Sequence, residues 1–120
     1  MCFYIVVIYA EQCGDNVDKS VFSRCPAVYT KAQTNKSIIL QCGTTQEVSL
    51  CLWKTPLGIN IRPMKDDFEY ILIKPQDKTN CDMEIKMVTE DHVGKWECSP
   101  FFPESSAEST ASGMLSITGR

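Results

Sequence analysis

The chain has 120 residues, enough for one domain of roughly 100–200 residues and too few for two ordinary cores. Hydrophobic residues make up 43% and charged residues 22%, close to the roughly 45–50% and 25% of globular proteins, which disfavours wholesale disorder and collagen-like repetition. The net charge is −3 with no run of lysine or arginine, so the footprint of a nucleic-acid binder is missing. A single histidine, His92, excludes sites that need two imidazoles, such as a two-cysteine, two-histidine finger or an H-E-x-x-H protease.

Residues 1–10 (MCFYIVVIYA) read as the apolar core of a secretory signal peptide with Ala10 at the cleavage position; the alternative is a buried N-terminal strand. Nowhere does an apolar stretch reach the roughly 20 residues needed to cross a bilayer, so no membrane span is expected in this chain. Residues 11–25 are polar, lack a sustained period and carry Cys13 and Cys25 near their ends, which makes them an N-terminal extension. The seven cysteines, at 2, 13, 25, 42, 51, 81 and 98, include no C-x-x-C pair. Wide spacing argues against zinc ribbons and redox dithiols and for disulfides between distant segments, hence an oxidising compartment, secreted or at the cell surface. Loss of Cys2 with a signal peptide leaves an even number.

From Pro26 onward short apolar stretches alternate with turn residues, and no window holds an i, i+3, i+4, i+7 stripe, so residues 26–119 are read as an all-β domain. Asn35-Lys36-Ser37 is an N-glycosylation sequon in a polar turn. Beyond it Ile38, Leu40 and Cys42 share one strand face, as do Cys51 and Trp53, because strand side chains alternate. Val48, Leu50 and Leu52 then point the other way, as an apolar stripe that is either a contact surface or is covered by Val21 and Phe22. Residues 59–69 are long enough for one extra edge strand. Cys81, Met83, Ile85 and Met87 form the next inward set, followed by Trp96 with Cys98, and by Leu115 with Ile117. In Pro100-Phe101-Phe102-Pro103 two adjacent phenylalanines cannot both face inward, so one of them is a candidate contact residue. No Gly-x-Ser-x-Gly elbow or glycine-rich phosphate loop occurs, and the adjacent Asp91 and His92 diverge on a strand or turn; no catalytic residue, metal or cofactor is expected.

Cys42, the inward Trp53 and the segment Gly94-Lys95-Trp96-Glu97-Cys98 compose a Cys…Trp…Cys pattern that resembles the immunoglobulin superfamily over residues 26–118. Segments 51–58 (Cys-x-Trp-x-x-Pro-x-Gly) and 94–98 are similar to those of invertebrate adhesion and immune proteins, including fasciclin-like ones. The resemblance implies a two-sheet antiparallel β-sandwich behind a disulfide-stapled extension. Strand A falls at 27–31, B at Cys42, C at Trp53, D at 70–73, E at 81–87, F at 95–98 and G at 114–118. It implies a Cys42–Cys98 bridge packed against Trp53. In that strand assignment Cys51 and Cys81 face each other from opposite sheets and are expected to bond, with Cys13 and Cys25 left as the third pair. The family usually has Asp-x-Gly-x-Tyr-x-Cys where this chain has His92, Gly94, Trp96 and Cys98. Trp96 has no hydroxyl to make the usual corner hydrogen bond, so packing alone is expected to hold this corner.

Functionally the resemblance implies an extracellular recognition module that binds a protein or glycan partner in adhesion or receptor-type recognition, with pairing of two copies as one form of it. The contact residues would be Leu50 and Leu52 on the sheet of strands C, F and G, and Phe101 or Phe102 at the start of the F–G loop. The alternative is a freestanding secreted immune effector or inhibitor that works through residues 99–113.

Overall fold

The computed structural model describes residues 13, 17–103 and 109–118; the 1–10 segment and residues 104–108 of the F–G loop lie outside the described residues. Its strands, in chain order, are β1 Phe22–Arg24, β2 Tyr29–Ala32, β3 Ile38–Leu40, β4 Gly43–Thr44, β5 Leu50–Lys54, β6 Asn60–Ile61, β7 Tyr70–Leu72, β8 Met83–Ile85, β9 Gly94–Phe101 and β10 Ala111–Ile117. They make a five-stranded sheet, β2-β10-β9-β5-β6, and a three-stranded sheet, β3-β8-β7; the β1-β4 ladder continues the smaller sheet through a bridge from Gly43 to Asn80. Between the layers lie Trp53, Trp96, Met83, Ile85, Val88 and Leu115, all fully buried. This is the sandwich that short, period-two apolar stretches require, since each sheet must cover one face of the other.

Two disulfides tie the layers together side by side. Cys42 bonds Cys98 and Cys51 bonds Cys81. On one sheet the N–H of Cys81 donates to the Cys42 carbonyl at 2.7 Å, and on the other Trp53 stands opposite Cys98 in the β5–β9 ladder. The Trp53 indole Nε1–H crosses the gap to the carbonyl of Cys81 at 2.9 Å, so its one polar atom is satisfied inside the core. A charged tie sits beside the bridges. Arg24 Nη1 reaches both Asp82 carboxylate oxygens at 2.7 Å, Nη2 reaches Asn80, and Asp82 also accepts the N–H of Cys42.

The first strands differ from expectation. Residues 22–24 lie within the segment read as an extension, yet they pair with β4, and Phe22 is buried at 3% exposure. Cys13 bonds Cys25 at the end of this strand. After β1 the chain crosses to the other sheet, where β2 runs parallel to β10, the one parallel pair among the described strands. Strand A, expected at 27–31, is thus met in part by β2 at 29–32, with β1 as a further strand ahead of it. The crossover rests on Gly113, where an added Cβ would lie 2.2 Å from the Ala27 carbonyl oxygen; no other residue allows that approach. Phe22 and Val21 pack into the core from the β1-β4 side, so they do not cover Leu50 and Leu52.

Two alternations also end early. Met87 is not inward: β8 stops at Ile85, the chain bends, and Met87 is 56% exposed while Val88 is fully buried in its stead. The backbone of Val88 explains the bend, donating to Lys36 and accepting from Asn35, both at 2.9 Å, which ties this turn to the one between β2 and β3. Val48 is not outward either. It precedes β5, donates its N–H to the Lys78 carbonyl at 2.9 Å and is buried.

The corner before β9 is held by more than packing. The Trp96 Nε1–H donates to the His92 carbonyl at 2.8 Å, which an indole can do where a tyrosine hydroxyl would otherwise serve. His92 ends a single 3₁₀ turn, Glu90–His92, and its Nδ1 accepts the Thr89 backbone N–H at 2.9 Å. A backbone N–H can only donate, so Nδ1 carries no proton and Nε2–H faces the Tyr70 hydroxyl at 3.2 Å. Burial, and then the Glu69 carboxylate, push the Tyr70 hydroxyl up to about 12.

Burial also lowers the pKa of His92 below its ordinary 6.5, against the opposing pull of Glu69 and Asp91. The folded chain then binds this proton more weakly than the unfolded chain. Stability is full above the unfolded value near 6.5 and falls as pH drops through the lower folded value. The urea midpoint is expected to decline between about pH 7.5 and about pH 5, and most of that decline is expected to vanish in His92→Asn, whose amide oxygen can still accept from Thr89. An identical decline in both proteins would contradict the assignment.

Candidate functional site

Residues opposite one another in a ladder point to the same side of a sheet, so the registers define the outer surface of the five-stranded sheet. Leu50 stands opposite Phe101, Leu52 opposite Ser99 and Lys54 opposite Glu97. On the next strand Ser112 is opposite Glu97 and Met114 opposite Lys95, and Tyr29 on β2 is opposite Met114. The surface is thus apolar at two places with a polar centre. One end holds half-buried Leu50 and Leu52 with Phe101, which is 44% exposed; the far edge holds Tyr29 at 76% and Met114 at 41%. Between them the Ser99 and Thr110 hydroxyls meet at 3.0 Å, and Lys95 lies 3.7 Å from Glu97. That ion pair is largely solvated and adds little stability.

Leu50, Leu52 and Phe101 are therefore brought together, whereas Phe102 turns inward and packs, half-buried, against the edge of the core. Tyr29 and Met114 were not singled out in the sequence. For Met114 the signal was there, because it alternates with Leu115 and Ile117; for Tyr29 it depended on the parallel register with β10, which no local pattern encodes. Asn35 sits exposed at the tip of the turn between β2 and β3 with a left-handed φ of 67°, a conformation that asparagine tolerates better than most residues.

The outer face offers contact chemistry, with apolar side chains on either side of hydroxyl and ion-pair groups. The one histidine is engaged at the corner by Thr89 and Tyr70. Among the described residues no group of three or more histidine, cysteine, aspartate or glutamate side chains could hold a metal ion, and no helix is long and apolar enough to cross a membrane.

No protein-family model matches the sequence. No curated protein matches it either. Solved structures do. Domain D1 of Duf (Kirre) is similar over 80% of this chain and 93% of that one, with a TM-score of 0.66 and 15% identity. The Ig-like domain of human leucine-rich repeat-containing protein 4 matches over 83% of this chain and 89% of its own, with a TM-score of 0.64 and 15% identity. A structure of Sidekick-1 immunoglobulin domains 1–5 matches over 82% of this chain, which spans 19% of it, with a TM-score of 0.62 and 20% identity. These are likenesses of architecture, and together with the doubly bridged layers and the indole between them they make this chain an immunoglobulin-fold domain.

Proposed function

We propose that the domain is an extracellular recognition module that holds a protein partner on the outer face of its five-stranded sheet. The observation that carries this reading is the exposed, apolar-ended surface of Leu50, Leu52 and Phe101 with Tyr29 and Met114 across the sheet. Phe101, Tyr29 and Met114 are of the residue types enriched at protein interfaces, here set beside aliphatic Leu50 and Leu52 on either side of a polar centre. Three disulfides among the described residues support an oxidising, extracellular setting. The similar solved structures include immunoglobulin domains of Duf (Kirre), Rst and Sidekick-1, which supports a recognition role over an enzymatic one.

Capture of extracellular proteins by the immobilised folded domain tests this. Phe101→Asp and Leu52→Asp are each expected to weaken capture of a partner by about thirtyfold, the loss typical of an interface anchor worth about 2 kcal/mol, while Met87→Asp, away from this face, leaves it unchanged. Equal retention by all three variants, each with native near-ultraviolet circular dichroism, rejects the face.

Glycosylation at Asn35 belongs to the same reading. The exposed turn presents the sequon to solvent. Protein secreted from eukaryotic cells is expected to lose mass on treatment with an N-glycosidase, and Asn35→Gln to run at the deglycosylated position from the start. An unshifted mass contradicts it.

A further inference from the structure

At the end of the sandwich where β5 begins, a cavity of about 390 Å³ opens between the segment following β6 and the turn ahead of Asn80. This is within the roughly 300–1,000 Å³ of small-ligand sites. Val48, Cys51 and Leu72 supply an apolar floor. Arg62, Lys65 and Lys78 stand on its rim with Asp66 and Asp77, all five exposed.

Opposite charges pair elsewhere in this molecule, as Arg24 does with Asp82 and Lys95 with Glu97, but none of these five is within ion-pair distance of another. Asp77 Oδ1 accepts the backbone N–H and the hydroxyl of Thr79, at 3.0 and 2.8 Å, and those bonds lower its pKa, so it stays ionised. The site thus presents three cations, two carboxylates and an apolar floor, with one positive charge in excess. A purely apolar ligand would desolvate the charges without partners, and a polyanion would be repelled by the carboxylates. A ligand with one carboxylate, several hydroxyl donors and a C–H face satisfies all three features: the carboxylate on Arg62, Lys65 and Lys78, hydroxyls on Asp66 and Asp77, carbons on Val48 and Leu72.

The geometry points to a binding site for a sugar residue bearing a single carboxylate, as in the uronate units of extracellular glycans. The site goes beyond the protein-binding face and is separable from it, since the charged rim shares no residue with Leu52 and Phe101; Leu50 borders both and takes no part in the test.

The test is a titration of the ¹⁵N-labelled folded chain, followed by amide shifts, with three probes at equal ionic strength. These are an unsulfated tetrasaccharide of alternating glucuronate and N-acetylglucosamine, its carboxyl-reduced counterpart, and sodium sulfate. The tetrasaccharide is expected to give saturable shifts at residues 62, 65 and 78, with the carboxyl-reduced sugar at least about tenfold weaker. Arg62→Ala combined with Lys78→Ala weakens the acidic sugar by about tenfold or more, and Phe101→Asp leaves it unchanged. Asp66→Ala weakens the sugar but strengthens any response to sulfate, because it removes a hydroxyl acceptor and a repulsive charge together. The site is rejected if the tetrasaccharide gives no saturable shift, if the reduced sugar binds equally, if sulfate alone reproduces the shifts, or if the double variant binds like the parent. Because Phe101→Asp leaves the cavity intact, loss of protein capture in that variant with retained sugar binding separates the two sites, and each can fail alone.

Discussion

Replacing Cys42 and Cys98 together by alanine is expected to lower the unfolding free energy by about 3–4 kcal/mol. Closing a ring across a sequence separation of 56 restricts the unfolded chain by roughly 4 kcal/mol in the loop-entropy model. Here the ring is effectively shorter, because Cys51–Cys81 lies inside it and short-circuits 30 of those residues. The entropic part is reduced, and the void between the sheets beside Trp53 adds a packing term of its own. A domain of this size holds roughly 5–15 kcal/mol in total, so the variant should remain folded but with its urea midpoint moved strongly downward. Cys51→Ala with Cys81→Ala should act in the same direction and by a similar amount, since removing either bridge leaves the other to close its own loop. A midpoint unchanged after removal of Cys42 and Cys98 would mean that the sheets are held by something other than the paired bridges.

The second large effect is expected at the corner. Trp96→Phe keeps an aromatic ring in the core but deletes the Nε1–H that the His92 carbonyl accepts. A buried acceptor left unpaired costs about 1–3 kcal/mol, and the smaller ring leaves a cavity, so a loss of about 2–4 kcal/mol is expected by urea unfolding near pH 7.5. Trp96→Tyr discriminates hydrogen bonding from packing. Its hydroxyl can serve as the donor found at this position in immunoglobulin domains generally, so it should lose clearly less than Trp96→Phe. Equal losses would return the corner to packing alone. The corner matters to the candidate surface because Trp96 belongs to β9, the central strand that carries Ser99 and Phe101 on its outer side.

Much of this molecule was legible residue by residue. Cys81, Met83 and Ile85 alternate with charged neighbours, Trp96 and Cys98 do the same, and a strand buried on one side has no other way to satisfy that pattern. The outward direction of Leu50 and Leu52 was readable for the same reason, whereas alternation required only that one of Phe101 and Phe102 face outward and left the choice between them to the β5–β9 register. The misreadings fall where alternation stops being local. Met87 follows a bend set by hydrogen bonds from Val88 to a distant turn, and Val48 follows one set by Lys78. The strand at 22–24 is polar on one side and short, so nothing in its own sequence announces that it pairs with Gly43 and Thr44.

By itself, then, the order of residues determined an all-β chain, the inward faces of its longer strands, and the types of side chain left outside, because a period of two is a property of the extended backbone. Only the tertiary structure decided that Tyr29 and Met114 join the outer face, that Trp96 donates to His92, and that Arg62, Lys65 and Lys78 gather around one cavity with two carboxylates. Each of those depends on which segment lies beside which. That choice is made by burying the whole core at once, and no stretch of neighbouring residues carries it.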